Sequence, residues 1–228
     1  MISRIILKKW TSILDIIGSV QFIILTSIAM FFYTGGTYVD PTTTNYQFLY
    51  NVFSDLGRTI AHSGNSNRIA FILFFITLSI WGFLQIPFFI TFTFLFKQSK
   101  NLRILSYIGS LLGIIAGICY IGIAFTPSNL LYQIHDFFVI AAFSSIFISI
   151  IIYSITIYQS REFSNFYAII LIISALILGI YFVLLYFNLN IRTPEGLLIQ
   201  AAGQKIMIYT LLICSIMLGY GSLKYKLS

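Results

Sequence analysis

Six apolar windows, each of roughly twenty residues or more, constrain this chain more than any other feature: 13–33, 69–96, 104–125, 137–158, 167–187 and 201–223. A helix needs about 20 apolar residues to cross the hydrocarbon layer of a bilayer, so each window suffices for one crossing. In hydrocarbon, backbone polar groups are satisfied only within helices or closed barrels. Composition points the same way, with 59% hydrophobic and only 8% charged residues, against about 25% charged in ordinary soluble domains. A soluble globular protein is excluded. The expected fold is all-α: one polytopic integral membrane bundle of six transmembrane helices, a single domain over residues 1–228.

The net charge of +7 comes from 13 Lys and Arg against 6 Asp and Glu. Charges this sparse on an apolar chain do not make a nucleic-acid surface, so no nucleic-acid partner is expected. They read instead as topology. With the N-terminus inside, Arg4, Lys8, Lys9, Lys97, Lys100, Arg103, Arg161, Lys224 and Lys226 fall on the inner side, and Arg58, Arg68, Arg192 and Lys205 on the outer. The bias of basic residues toward the cytoplasm then places both termini inside. The basic start, with Arg4, Lys8 and Lys9, precedes an apolar run too long for a cleaved signal, so an uncleaved first helix is expected. Asp15 is read as an inner-side salt-bridge partner of Lys8 and Lys9. Cys119 and Cys214 lie within apolar runs and read as small hydrophobes.

Pro87 should kink or tilt the second helix, because proline removes one intrahelical hydrogen bond. Gly109, Gly113 and Gly117 form a four-residue stripe on the third, which allows close helix packing. No repeat relates helices one to three with four to six, which disfavours a transporter of inverted halves.

Outer polar residues are chemically richer than inner ones. The first outer loop, 34–67, is long for a compact bundle, and long loops are often functional. Within it FLYNVFSDLGR (48–58) spaces Asn51, Ser54, Asp55 and Arg58 at three or four residues, predicting a short interfacial helix with one polar face. Its apolar members Phe48, Leu49, Val52, Phe53 and Leu56 would lie against the bundle. At the same level fall His62, His135 beside Asp136, Glu195, Gln200, Gln204 and Lys205. Lys205 would either snorkel to the interface or face a partner inside the bundle. Asp55 with Arg58 reads as a local pair, and Asp136 as a helix cap or as the group orienting an imidazole.

SDLGR (54–58), N-R-x-A-F (67–71), a glycine-rich third helix ending in FTPSN (125–129), YQIHDFF (132–138) and GQKI (203–206) together resemble the bacterial and archaeal six-helix family called domain of unknown function 998. That family more usually has arginine where this chain has Lys205. The resemblance implies a multi-pass protein of a prokaryotic plasma membrane with a polar patch at the outer face. A more distant similarity is to ceramidase-like and adipo-receptor-like membrane hydrolases, which hold zinc near one membrane face. This chain has only two histidines and lacks their paired histidine spacing in the last helix. A zinc ion would have to use His62, His135 and one carboxylate.

The expected function is an outward pocket for a lipid headgroup or small amphiphile, lined by Asn51, Ser54, Asp55, Arg58, His135, Asp136, Gln204 and Lys205, with membrane lipids as partners. A first alternative is a lipid hydrolase or remodelling enzyme, with Asp55 or Asp136 as general base and His135 as proton shuttle or metal ligand. A second is a proton-coupled carrier relaying through Lys205, Asp136 and His135. A third is a structural role, with the outer loop docking a partner.

Overall fold

A computed structural model describes residues 2–160, 163–186 and 190–225. It contains six long helices: α1 (Ile2–Phe32), α2 (Arg68–Phe92), α3 (Lys100–Phe125), α4 (Tyr132–Gln159), α5 (Asn165–Tyr186) and α6 (Pro194–Lys224). All six are long and apolar enough to cross a membrane. The protein is a multi-pass helical bundle. Arg161, Phe187 and Lys226, which figure in the expected topology and helix bounds, lie outside the described residues. At about 1.5 Å per residue, α5 spans about 33 Å and α6 about 46 Å. The longer helices must therefore tilt or project beyond a hydrocarbon layer of about 30 Å.

Each helix packs on its neighbours in sequence, and α6 closes the ring on α1. The outer surface of the ring is apolar, with Ile24, Phe83, Leu111, Ile140, Leu176 and Ile213 all exposed. Aromatic side chains fill the interior: Phe22, Phe88, Phe92, Tyr120 and Tyr153 are at most 2% exposed. Apolar residues both outside and inside are what a bundle solvated by lipid requires. The α2–α3 seam depends on small residues. A methyl group added at Gly82 would lie 2.5 Å from the carbonyl oxygen of Gly117, so two backbones meet where side chains would hold them apart.

Side-chain caps and prolines explain several boundaries. Ser99 accepts the Leu102 N–H at the start of α3 (3.2 Å). Thr193 caps α6; Pro194 fits its first turn because no N–H is needed there, and Glu195 in the first turn and Lys224 in the last suit the helix dipole. Pro87 lies inside α2 as expected, and the helix tightens into a 3-10 turn at Thr93–Leu95. Two helices start well ahead of their apolar windows, α1 by 11 residues and α6 by 7, which changes the position of Asp15 below.

The loop 33–67, with the α3–α4 and α5–α6 connections, occupies one end of the ring, here the loop end. The chain termini and the other two connections form the terminal end.

Candidate functional site

The loop 33–67 folds back on itself over the ring. Gly35 and Gly36 have φ of +95° and +80°, values that side-chain-bearing residues rarely adopt. They turn the chain so that the Gly36 carbonyl accepts the Asn51 amide at 2.9 Å. The segment 48–58 is not the amphipathic α-helix its periodicity predicts. It is a turn at 48–50 followed by a 3-10 helix, Phe53–Gly57. The cause is competition from side chains. Asn51 Oδ1 accepts the Gln47 N–H (2.9 Å) and Asp55 Oδ2 accepts the Val52 N–H (3.0 Å), supplying acceptors in place of helical carbonyls. Phe53 and Leu56 are buried while Phe48 and Leu49 remain about half exposed, so only part of the expected apolar face enters the bundle.

Asp55 is the hub. Its Oδ1 meets His62 Nε2 at 2.9 Å, and its Oδ2 accepts from Asn51 Nδ2 at 3.0 Å as well as from Val52. The expected Asp55–Arg58 pair is not made. Arg58 Nε donates to the Ile60 carbonyl (3.2 Å), and the ionisable partner of Asp55 is His62. Asn67 clamps the unit from below, donating to the carbonyls of Leu56 (3.2 Å) and Arg58 (2.9 Å). The SDLGR turn and the N-R-x-A-F segment are therefore one structural piece.

Lys205 enters this cluster from α6. It is 2% exposed and so does not snorkel to water. Its ammonium donates to the Asn51 carbonyl and lies 5.0 to 5.7 Å from the ring centres of Phe48, Tyr46 and Phe53. Among the described residues, no carboxylate lies within ion-pair distance of it. Immediately before it in the helix, Gln204 Oε1 accepts the Phe53 N–H at 2.7 Å, pinning the loop to α6. Burial first, and then the nearby Asp55 charge, push the Tyr33 and Tyr46 hydroxyls above their usual range. Both remain protonated donors: Tyr33 to Gly36 (3.2 Å), Tyr46 to Asn51 (3.0 Å) and Val52 (3.2 Å). Asp40, at the loop tip, is held below the usual carboxylate range by the Thr42 hydroxyl and backbone N–H.

The other anticipated residues lie elsewhere. His135, Ser54 and Gln204 line a narrow cavity of about 40 Å³ inside the ring, beneath the loop. His135 Nδ1 bonds the Thr126 carbonyl at 2.6 Å, so Asp136 does not orient it. Asp136 is exposed and lies past the first turn of α4, so it is not a cap either. The two histidines serve separate networks. The cavity facing His135 holds no second His, Cys, Asp or Glu, and among the described residues no three such groups gather to hold a metal. One nitrogen of each ring is engaged, His62 Nε2 by Asp55 and His135 Nδ1 by the Thr126 carbonyl. Nor does a Ser, Thr or Cys of the described residues hydrogen-bond the His62 ring, so the Asp55–His62 pair has no nucleophile attached.

Outside the loop, a groove of about 450 Å³ runs between the end of α1 and the loop, lined by Ser27, Met30, Phe31, Asn45, Tyr46 and Phe48. Phe31 is 88% exposed on its outer lip. Tyr46 and Phe48 are shared: one side walls the groove and the other covers Lys205.

Sequence reasoning missed a second buried cluster. Asp15 is fully buried, and its Oδ1 accepts from Gln85 Nε2 (2.5 Å) and Ser215 Oγ (2.8 Å). It does not pair with Lys8, which donates to the carbonyls of Ser222 (2.6 Å) and Tyr225 (2.5 Å), or with Lys9, which is exposed. Because α1 begins at Ile2, Asp15 lies about 20 Å along the helix rather than at its start. A carboxylate deep in an apolar window was the available signal. Comparison of the chain with protein-family models, with curated proteins and with solved structures finds no match.

Proposed function

We propose that this multi-pass membrane protein binds an anionic amphiphile of the outer leaflet, a phosphate-bearing lipid, in the groove between α1 and the loop. The observation that carries this reading is Lys205. A buried ammonium bonded only to neutral carbonyls and aromatic faces, with Asp55 nearby but outside ion-pair distance and already bonded to His62, leaves positive charge only partly compensated, and burying unpaired charge is costly. It sits directly behind Tyr46 and Phe48, which wall a groove open to lipid. An anionic headgroup at the mouth would supply the missing countercharge, and Phe31 and Met30 would meet the acyl chain. The volumes decide where the chain goes. The interior cavity is about 40 Å³ and takes no acyl chain, whereas the groove is about 450 Å³.

The likeness to the family called domain of unknown function 998 is part of the same proposal. The two segments that carry it, SDLGR and N-R-x-A-F, are joined through Asn67 in the loop that covers Lys205. The test is mass spectrometry of protein extracted in mild detergent. Wild type should carry anionic phospholipid and Lys205→Met should lose it; equal retention by both, or none by wild type, contradicts the proposal.

A further inference from the structure

A second groove, of about 390 Å³, opens at the terminal end, between the start of α5 and the end of α6. Phe163, Ser164 and Tyr167 line one side, and Gly221, Lys224 and Tyr225 the other. Its level in the bilayer follows from helix length. α5 starts at Asn165 and spans about 33 Å, close to a hydrocarbon thickness of about 30 Å, so residues 163–167 fall where lipid phosphates lie.

Other elements fix the inner wall of this groove. The side chain of Tyr225 stacks on Phe163 with centroids 5.7 Å apart, and Phe163 is buried against Phe92 and Phe96. Lys8 of α1 donates to the carbonyls of Ser222 and Tyr225, and Gln98 donates to the Tyr225 hydroxyl (2.9 Å). That capping matters for charge. Open carbonyls at a helix C-terminus repel an anion, and here a buried ammonium neutralises them. Gly221 sets the opposite wall: a methyl group there would lie 2.7 Å from the Tyr167 phenol, so glycine lets Tyr167 lie flat against α6.

The polar groups on these walls supply donors. Lys224 is exposed, its ammonium 4.5 Å from the centre of the Tyr220 side chain, and among the described residues it has no carboxylate within ion-pair distance. The Ser164 hydroxyl oxygen accepts the Phe166 N–H (3.3 Å), which leaves its O–H to donate outward. Tyr167 brings a second hydroxyl within electrostatic reach of Lys224. The surrounding surface has one sign: Arg4, Lys9, Lys97, Lys100 and Arg103 lie at this end, with no Asp or Glu among the described residues there.

We propose that this groove holds the phosphate of an anionic phospholipid in the leaflet at the terminal end. Lys224, Ser164 and Tyr167 donate to the phosphate oxygens, and Phe166, 54% exposed on the same wall, meets the acyl chains. Basic pockets between membrane helices hold lipid headgroups in this way, and the unbalanced positive charge selects a net-negative headgroup over a zwitterionic one. The site shares no residue with the groove beside Lys205 and lies at the opposite end of the bundle. Because Lys224 is exposed where Lys205 is buried, its lipid exchanges with the bilayer and is stripped by detergent. Intact vesicles are therefore the place to read it.

The test is photo-crosslinking of the full chain, with Phe166 replaced by a benzophenone-bearing residue, in vesicles of equal parts phosphatidylglycerol and phosphatidylcholine. Irradiation should label phosphatidylglycerol several-fold above its share of the bilayer. Lys224→Gln, a change at an exposed position, should return labelling to that share, whereas Lys205→Met should leave the preference intact and so keeps this site apart from the first. Millimolar inorganic phosphate should not compete, since the acyl chains anchor the lipid. Labelling in proportion to bilayer composition, a preference that survives Lys224→Gln, or one abolished by inorganic phosphate overturns the proposal.

Discussion

Lys205 and Asp15 are both charged-type side chains buried in long helices, but the loop end and the middle of the ring bury them differently. Lys205 is covered by a loop: its partner Asn51 lies 154 residues earlier, and the rings around it belong to the same folded-back segment. Asp15 is covered by helices, with Gln85 from α2 and Ser215 from α6 closing over it. A cluster built on a loop can open when the loop moves, and it borders a lipid-facing groove. One built between helices opens only if the ring does. The groove beside the loop is about 450 Å³, whereas the spaces inside the ring are about 30 and 40 Å³.

This contrast can be broken at specific residues. The largest effect is expected from Asp55→Ala, which leaves His62, the Asn51 amide and the Val52 N–H without their acceptor. Three lost bonds to a carboxylate should cost about 3 kcal/mol or more. Limited proteolysis should then cut within 34–67, while hydrogen exchange around Asp15 stays as in wild type. Exchange rising equally at both clusters would show that they are not independent.

Next is Lys205→Met. It removes the bond to Asn51 and the cation–π contacts but also a costly buried charge, for a net loss of about 1–2 kcal/mol, read by thermal denaturation in detergent. Asp15→Asn should change stability by less than about 1 kcal/mol, since an amide oxygen still serves Gln85 and Ser215. A loss as large as that of Asp55→Ala would erase the distinction between the clusters.

The smallest effect concerns Asp40. Its folded-state carboxyl is held below the usual range by Thr42, so its contribution to the turn is complete above about pH 4, the unfolded value. That contribution fades as pH falls through the lowered value. Asp40→Asn should therefore abolish only the acid-side part of any change in loop protease sensitivity.

Hydropathy located every helix, because crossing a bilayer demands a run of apolar residues that nothing else in the chain imitates. It placed the first and last helix starts late, since Arg4, Lys8 and Lys9, or Glu195 and Gln200, look like loop residues although they occupy projecting helical turns. That error moved Asp15 to the interface and hid the helix-bound cluster. The loop cluster was partly legible: Asn51, Asp55 and Lys205 meet, as their common level suggested. Its geometry was not, because 3.6-residue spacing in 48–58 says nothing about Asn51 and Asp55 turning back onto their own backbone. Tyr33 and Tyr46 carry no local signal at all, for their roles arise only when the loop closes.

The claim on which the functional reading turns is that lipid occupies the groove in front of Lys205. Photo-crosslinking tests it directly: Phe48 is replaced by a benzophenone-bearing residue, with Ile180 on the exposed face of α5 replaced likewise for comparison. In vesicles containing anionic phospholipid, irradiation should attach that lipid preferentially at position 48, and combining the change with Lys205→Met should abolish the preference. Equal labelling at 48 and 180, or labelling at 48 indifferent to Lys205, would contradict it.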